Sequence, residues 1–268
     1  MAIHINILMH HTSRTLPLSR YAIVNIAKYW QQDGNKVSIV FGDQKYVPAD
    51  IAILHVDLSV VPDSYLQLAS EYPVALNKQV KDIRKSTIST NLLKRNDGYA
   101  GKVIIKSDLN YAGMPERFAA GTLNKQKPSN INSPKDYMIF DSLADVPDQY
   151  FEYDDIIVER FTPETDNNEY FIRYFVFLGN QTTFYRVNSL EPIINSNNWK
   201  SMQVIEPTPE VYRWREQLNF DYGKFDYVIH DGIPVLLDAN KTVGALPGSP
   251  ILEENWRQRA KGIYSYLA

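Results

Sequence analysis

Short apolar runs alternate with amphipathic segments over the first hundred residues of the chain. The apolar runs are IHINILM (3–9), KVSIVFG (36–42), ADIAILHVD (49–57) and VALN (74–77). Between them, PLSRYAIVNIAKYWQQDG (17–34) and DSYLQLASEY (63–72) place apolar residues at helical spacing. Strands and helices that alternate at this pitch predict a parallel sheet flanked by helices, which is an α/β fold.

The pattern changes after residue 95, where hairpins replace the strand–helix alternation. GKVIIKSD (101–108) and DIIVERF (155–161) predict strands, residues 128–151 predict mostly loop and helix, and residues 209–220 predict a helix. EYFIRYFVFLGNQTTFYRVNS (169–189) and DYGKFDYVIHDGIPVLLDANKT (221–242) predict hairpins, so this half is expected to be α+β with antiparallel sheet. The turn-rich RNDGYAG (95–101) predicts a junction between domains 1–97 and 98–268.

The last hairpin carries three residues, two Asp and one Asn, of types that strands usually avoid. Asp226 lies inside its first strand, and Asp238 and Asn240 close its second strand. A two-residue Asp-Gly loop would pair Asp226 with Leu237 and turn Asp238 to the other face. A three-residue loop over residues 231–233 would instead pair the two aspartates and place Asn240 on the same face.

Like charges directly opposite each other destabilise a sheet unless a cation lies between them. Two carboxylates and an amide suit Mg²⁺, which takes oxygen ligands and shares substrate phosphates. The three residues are therefore candidate metal ligands, and the alternative is that the carboxylates face solvent beside a turn.

The other hairpin has a second like-charge pair. A Gly-Asn turn at 179–180 pairs Arg173 with Arg186, and Glu169 lies on the same face as Arg173. Two opposed arginines repel unless an anion lies between them, and the guanidinium group suits phosphate or carboxylate. The alternative is that both arginines extend into solvent. Together, the two hairpins favour a Mg²⁺–polyphosphate site.

Two lysines strengthen this interpretation. Lys106 ends the apolar strand KVIIK, and Lys85 opens a short predicted helix. The chain contains neither a GxxxxGK[ST] motif nor a GxGxxG motif, so a nucleotide would be held in another way.

Taken in order, four segments resemble the ATP-grasp superfamily. NKQVKDIRKSTIS (77–89) resembles the segment with the first phosphate-binding lysine, Lys85, and GKVIIKSDLNYAGMPE (101–116) resembles the strand with the second, Lys106, and its glycine-containing loop at Gly113. DIIVERFTPETDNNEYFIRYFVF (155–177) resembles the hinge strand, and residues 221–242 resemble the metal-binding end. The resemblance spans residues 77–248, and residues 1–97 would form the small domain that precedes the ATP-grasp domain.

The resemblance implies a role for each of these residues. The backbone near Glu159, Arg160 and Phe161 would contact adenine, and Glu169 would bind ribose. Residues 98–165 would form the lid and residues 166–268 the metal and phosphate part. The Mg²⁺ ligands would be Asp226, Asp238 and Asn240.

The implied activity is that of an ATP- and Mg²⁺-dependent ligase, which activates a carboxylate as an acyl phosphate and couples it to an amine. Lys106 and Lys85 would neutralise the triphosphate, and Arg186 with Arg173 would hold the transferred group or the substrate carboxylate. The partners would be ATP and small-molecule or peptide acids and amines. Further candidates for substrate contacts are His10, His11, Asp57, Trp199 and Lys200.

Three departures from the family keep other functions open. Asp238 stands where relatives usually have Glu, the phosphate loop has few glycines, and the chain is short. The alternatives are a small-molecule kinase on the same scaffold and a non-catalytic nucleotide-binding protein.

Composition excludes several kinds of ligand and site. The 268 residues carry a net charge of -3 with a pI near 6.0, which gives no general attraction to nucleic acid or to acidic membranes. The absence of cysteine excludes disulfides, zinc–thiolate sites and thiol catalysis. No secretory signal or membrane-spanning run is evident, so a cytoplasmic protein is expected. The stretch NSNNWKSM (195–202) is a candidate substrate loop or homodimer contact.

Overall fold

A computed structural model describes residues 2–195, 197–245 and 250–267. The strands are β1 (His4–Met9), β2 (Lys36–Phe41), β3 (Ile51–His55), β4 (Val74–Leu76), β5 (Val103–Ser107), β6 (Met138–Phe140), β7 (Ile156–Arg160), β8 (Glu164–Asp166), β9 (Glu169–Leu178), β10 (Gln181–Ser189), β11 (Ser201–Val204), β12 (Tyr222–His230) and β13 (Ile233–Asn240). The α-helices are α1 (Ala22–Gln32), α2 (Asp63–Ser70), α3 (Lys85–Ile88), α4 (Met114–Ala119), α5 (Tyr212–Gln217) and α6 (Pro250–Ala260). Short 3-10 segments cover His11–Thr15, Leu18–Arg20, Asn110–Gly113, Pro134–Asp136, Leu143–Asp145, Asp148–Phe151, Pro209–Val211 and Lys261–Tyr266.

The N-terminal part is a four-stranded parallel sheet in the order β2-β1-β3-β4. All five residues of β3 and the last five of β1 are buried, as expected for parallel strands covered by helices. The predicted α/β fold of this part is therefore confirmed. Helix α1 begins at Ala22 rather than near Pro17, because Leu18–Arg20 forms a separate 3-10 turn.

The middle of the chain forms a three-stranded antiparallel sheet in the order β6-β5-β7. Residues 138–140 make the edge strand β6, although the sequence predicts mostly loop and helix there. Three residues are too few for an alternating pattern to be recognised. Hydrogen bonding to β5 stabilises this strand, and the local sequence does not show it.

The largest sheet has the order β11-β10-β9-β12-β13, with β8 paired to β9, and all its pairings are antiparallel. Its two long hairpins are those predicted from the sequence. The predicted α+β character of the second half, with antiparallel sheets, is confirmed.

The end of the chain returns to the N-terminal part. Helix α6 packs on α1, and the Trp30 indole N–H donates a hydrogen bond to the Ala260 carbonyl at 2.8 Å. One hydrophobic cluster contains residues of both predicted domains, among them Ile23, Tyr185 and Trp256. Among the described residues, no helix combines the length and the apolar composition needed to cross a bilayer.

Candidate active site

A cavity of about 650 Å³ lies where the three sheets and α6 meet. Its wall includes Ile104 of β5, Tyr174 of β9, Asp226 of β12, Trp256 of α6 and Tyr21, which precedes α1. Pockets of about 300–1,000 Å³ are the usual size for small-molecule ligands. The volume is therefore sufficient for a nucleotide or a compound of similar size.

The two aspartates of the last hairpin lie directly opposite each other. Asp226 pairs with Asp238, and Asn240 pairs with Lys224 one step further along the same face. The predicted pairing is present, but the predicted three-residue loop is wrong, because His230 pairs with residue 233 across a two-residue turn. The register changes at a β-bulge between residues 226 and 227 of β12, where Leu237 is the extra residue on β13.

Both aspartates present oxygen atoms without a protein hydrogen-bond donor. Oδ1 of Asp226 and Oδ1 of Asp238 are buried and have no hydrogen-bond partner in the part of the chain that the structure describes. Lys224 Nζ donates to Asp226 Oδ2 at 2.9 Å and lies 2.8 Å from Oδ1, and Lys85 Nζ lies 3.3 Å from Asp238 Oδ1. Buried polar atoms of folded proteins normally have a partner, so these oxygens indicate a place for a ligand.

The residues present fit an Mg²⁺ ion that is shared with phosphate. Among the described residues, no group of three or more His, Cys, Asp or Glu side chains could hold a metal alone. Asp226, Asp238 and Asn240 supply two carboxylates and one amide on one sheet face, and Mg²⁺ typically takes one or two carboxylates plus substrate phosphates. The donor set is therefore incomplete for a protein-only site and suitable for a shared one.

The charges in this part of the cavity are strongly coupled. Burial raises the pKa of Asp226, the charge of Lys224 opposes that rise, and the charge of Asp238 adds to it. Burial lowers the pKa of Lys224, but the charge and hydrogen bond of Asp226, with contributions from Tyr174 and Asp238, together raise it to about 12. Burial likewise opposes the charged form of Lys85, whose pKa is nevertheless raised by Asp238. Both lysines therefore carry positive charge beside the aspartates at neutral pH.

The second predicted lysine lies on the three-stranded sheet. Lys106 and Glu159 form a buried ion pair, and Glu159 Oε1 has no hydrogen-bond partner. Both residues line the cavity, together with Arg160 and Phe161. The amides of Arg160 and Phe161 already donate to backbone carbonyls, at 3.0 and 2.9 Å.

The loop after β5 has an unusual backbone. Tyr111, Ala112 and Gly113 all have positive φ, at 46°, 54° and 71°. Glycine suits the left-handed conformation of Gly113, and a Cβ there would lie 2.9 Å from Leu109 Cδ1, so the leucine side chain would have to shift. Tyr111 lines the cavity, whereas Gly113 is not part of the wall. Non-glycine residues in the left-handed region concentrate at functional sites.

The loop is docked onto the N-terminal part through Ser59. The amide of Asn110 donates to Ser59 Oγ at 2.8 Å, and the amide of Ser59 donates to Glu116 Oε1 at 2.6 Å. These contacts hold the loop against the edge of the cavity.

The structure does not bring the two predicted arginines to the cavity. Arg173 and Arg186 pair as predicted, but their side chains leave the sheet on the opposite face from Tyr174 and Tyr185, which line the cavity. Their counter-charge is Glu164, which lies 2.8 Å from Arg173 Nη2 and 3.2 Å from Arg186 Nη2. The anion expected between the arginines is thus a residue of the chain itself.

Other sequence-predicted residues divide between the cavity and its outside. Glu169 is not part of the cavity wall, and its carboxylate accepts from Asn188 at 2.7 Å and from Lys200 at 3.0 Å. Neither His10 nor His11 lines the cavity. Of the five further candidates for substrate contacts, Asp57 and Trp199 are part of the cavity wall.

A hydroxyl network connects Asp57 to the metal-type residues. Tyr21 Oη donates to Asp57 Oδ2 at 2.9 Å, and Thr242 Oγ1 donates to Asp57 Oδ1 at 2.7 Å. Thr242 also donates to Asn240 Oδ1 from its backbone N–H, at 2.7 Å. Asp57 and Thr242 are 185 positions apart in the sequence, so no local signal could connect them.

Lys224 is the clearest site residue that sequence reasoning missed. It lies two positions before Asp226, and this spacing on a strand places both side chains on one face. Its Nζ also lies 4.3 Å from the centre of the Tyr174 ring, inside the cavity wall.

Comparison with known proteins identifies the fold. The chain matches no protein-family model and no curated protein. It is similar to the D-alanine–D-alanine ligase of Bacillus anthracis complexed with ATP, with 12% identity, 100% of each chain covered and a TM-score of 0.53. It is also similar to a RimK domain protein ATP-grasp from Sphaerobacter thermophilus, with 11% identity, 97% of this chain and 99% of that chain covered, and a TM-score of 0.53.

A third similar structure is the macrocyclase MdnC of Microcystis aeruginosa, bound with its precursor peptide MdnA. The identity is 11%, the coverage 98% of this chain and 100% of that one, and the TM-score 0.54. These matches extend over nearly the whole chain, so the predicted resemblance is confirmed at the level of the fold.

Proposed function

We propose that this chain, which has the ATP-grasp fold, is an ATP- and Mg²⁺-dependent enzyme that joins a carboxylate to an amine. One observation carries the proposal. Asp226 and Asp238 lie opposite each other in a nucleotide-sized cavity, with buried unpartnered oxygens, beside Lys85 and Lys224. A metal with a bound phosphate would satisfy these oxygens and the lysines together.

The nucleotide is assigned to the space between the two antiparallel sheets. Residues 159–163 and Ile104 would contact the adenine end, and Lys85 and Lys106 the phosphates. Asp226, Asp238 and Asn240 would hold Mg²⁺, which in such sites neutralises the charge that develops on the phosphates. The domain limits 1–97 and 98–268, with a lid over 98–165, are part of this proposal.

The chain's own residues position and neutralise charge in the proposed reaction. A substrate carboxylate oxygen attacks the γ-phosphorus, the bond to the β,γ-bridging oxygen breaks, and ADP leaves with that bond's electron pair. The amine nitrogen then attacks the acyl carbon, inorganic phosphate leaves, and the amine proton passes to phosphate or solvent. Lys85, Lys106 and Lys224 would balance the negative charge near the transferred group. Arg173 and Arg186 have no part in this proposal because they face away from the cavity.

Asp57 is assigned to the amine. Its carboxylate lines the cavity and is held by two neutral donors, Tyr21 and Thr242. Its charge also favours the charged form of the buried Lys241, which donates to the Leu58 carbonyl. An ammonium group of the substrate would share this carboxylate with Lys241 next to the metal-binding end.

Fold neighbours favour ligation over simple phosphoryl transfer. The similar structures include a D-alanine–D-alanine ligase and a macrocyclase by name. The acid, the amine and a cytoplasmic location are proposed only as classes, and self-association through residues 195–202 is a further proposal of the same kind.

The test is a product assay with ATP, Mg²⁺ and paired panels of acids and amines. A ligase releases ADP and phosphate in equal amounts only when both substrates are present, and mass spectrometry then detects the amide. Lys85→Met serves as the negative control. ATP turnover that yields a stable phosphorylated compound and no amide would overturn ligation and favour the kinase.

A further inference from the structure

Arg259 of α6 is a buried cation whose charge the described residues do not neutralise. It is 3% exposed and lines the cavity. Among the described residues, its Nε has no hydrogen-bond partner, and its Nη2 makes a long contact of 3.4 Å with Thr183 Oγ1. Within residues 2–195, 197–245 and 250–267, no carboxylate lies within 4 Å of it, whereas Arg173 has such a partner in Glu164.

Burying a charge without a counter-charge is costly, so buried arginines are normally paired. An unpaired guanidinium in a cavity wall is therefore placed for an anion that enters the cavity. A second buried polar group supports this assignment. The Tyr185 hydroxyl lies on the same strand face as Thr183 and has no hydrogen-bond partner within the described ranges. Tyr185 also belongs to the cavity wall.

The sheet register places Arg259 away from the metal-binding end. Asn240, Lys224, Val176 and Thr183 are successive partners on neighbouring strands and form one line across the sheet. Adjacent strands lie about 4.8 Å apart, so Thr183 is about 14 Å from Asn240 and about 10 Å from Lys224. The anion at Arg259 is consequently not the group that reacts beside the metal ligands.

The space between these two ends is lined by apolar side chains. Val176, Val243 and Trp256 all belong to the cavity wall and to one hydrophobic cluster. A ligand that reaches from the metal-binding end to Arg259 would therefore pass an apolar section before it reaches the cation.

We propose that Arg259 binds a second carboxylate on one of the two substrates, separated from the reacting group by an apolar spacer. This inference rests on the proposed function, because it places the reacting group at Asp226 and Asp238. A carboxylate fits better than a phosphate, since one guanidinium with neutral hydroxyls balances a single negative charge and matches the planar carboxylate.

The second carboxylate could belong to the acid substrate or to the amine substrate, and two ligand series separate these sources. The first series is the α,ω-dicarboxylates from succinate to suberate, and the second is the ω-amino acids of the same lengths. Butyrate is the reference with a single carboxylate. Binding is measured by calorimetry, both without nucleotide and with Mg²⁺ and a non-hydrolysable ATP analogue.

Arg259→Gln is the test variant, and Arg257→Gln is its matched control. Arg257 is exposed on the same helix, so the same chemical change there leaves the cavity wall intact. Tyr185→Phe is a second test variant that removes one hydroxyl while it keeps the ring. Arg259→Lys keeps the charge and tests whether the planar guanidinium group matters.

We expect saturable binding of one series to the wild type, weakened about tenfold or more in Arg259→Gln and unchanged in Arg257→Gln. Stronger binding of the dicarboxylates assigns the carboxylate to the acid substrate, and stronger binding of the amino acids assigns it to the amine substrate. Equal binding to wild type and Arg259→Gln would overturn the inference, and so would no saturable binding under either condition. If the wild type does not bind the ATP analogue at all, the proposed function is overturned instead.

Discussion

Each of the two long hairpins of the large sheet contains a pair of like charges on opposed strands, but the two pairs lie on opposite faces of the sheet. In β9–β10, Arg173 stands opposite Arg186, and Glu164 lies between them on the face away from the cavity. In β12–β13, Asp226 stands opposite Asp238 on the cavity face beside Lys224 and Lys85, and one buried oxygen of each aspartate has no hydrogen-bond partner among the described residues.

The comparison shows what a like-charge pair in a hairpin means. Such a pair indicates that a counter-charge lies nearby, because opposed like charges destabilise the sheet. It does not reveal whether that counter-charge is a residue or a ligand. The two faces differ, since the arginines are paired with Glu164 away from the cavity, whereas the aspartates lie beside Lys85 and Lys224 where an ion can also enter.

The largest predicted effect comes from removing the internal counter-charge. Glu164→Ala leaves Arg173 and Arg186 without their shared partner and also removes the acceptor of the Ile229 amide at 2.9 Å. Breaking a buried ion pair by removing one partner costs about 3–5 kcal/mol. Urea unfolding should therefore show a loss of that order in the free energy of unfolding.

Nucleotide binding by folded Glu164→Ala should be unchanged, because the pair faces away from the cavity. Arg186→Ala should cause a smaller loss in the free energy of unfolding than Glu164→Ala, because Arg173 still neutralises Glu164. A Glu164→Ala protein that is as stable as the wild type would show that the arginines do not depend on this carboxylate.

His55 is a third kind of buried ionisable group, and it extends the comparison to pH. It has no hydrogen-bond partner at either ring nitrogen, and burial lowers its pKa from 6.5 to about 4. Between these values the unfolded chain binds a proton that the folded chain does not, so stability rises with pH across the window. Stability should fall by up to about 3 kcal/mol as the pH drops from 6.5 to 4.

His55→Phe should remove this part of the acid sensitivity, since the ring packs beside Tyr21 and Tyr222 without polar partners. The measurement is urea unfolding of both proteins from pH 4 to pH 7. Acid titration of carboxylates is common to both, so the difference between the two curves isolates the histidine. Parallel curves would contradict the assignment.

The smallest stability effect is expected at the cavity pair itself. Lys224→Met combined with Asp226→Leu removes a largely buried ion pair whose side chains are 22% and 16% exposed. Replacing both partners of such a pair by hydrophobic residues of similar volume is often neutral or stabilising. The free energy of unfolding should therefore decrease by no more than about 1 kcal/mol, or it should increase.

The same double variant should lose Mg²⁺-dependent nucleotide binding, which separates the site from the fold. A large loss of stability in the double variant would mean that the cavity pair is structural, like the pair around Glu164.

Hairpin register was predictable because side-chain alternation and turn residues are local. The Gly-Asn turn set the Arg173–Arg186 pairing, and the three metal-type residues were found by their unsuitability for strands. The bulge at Leu237 was not predictable, because a bulge and a longer loop produce the same pairing of Asp226 with Asp238.

The faces of the strands could not be assigned from sequence. Arg173 and Tyr174 are neighbours in β9, and only the packing of the sheet decides which one meets the cavity. Glu164 lies only nine residues before Arg173, but its contact depends on the register of β8 on β9, and Arg259 meets Thr183 across 76 positions of sequence.

The central claim is that the aspartate pair, not the arginine pair, awaits a ligand, and calorimetry of ATP binding with and without Mg²⁺ tests it most directly. The proteins are the wild type, Asp238→Asn and Arg186→Gln. We predict that Mg²⁺ strengthens ATP binding to the wild type and to Arg186→Gln, and that this strengthening disappears in Asp238→Asn. Strengthening that survives in Asp238→Asn and disappears in Arg186→Gln would contradict the account.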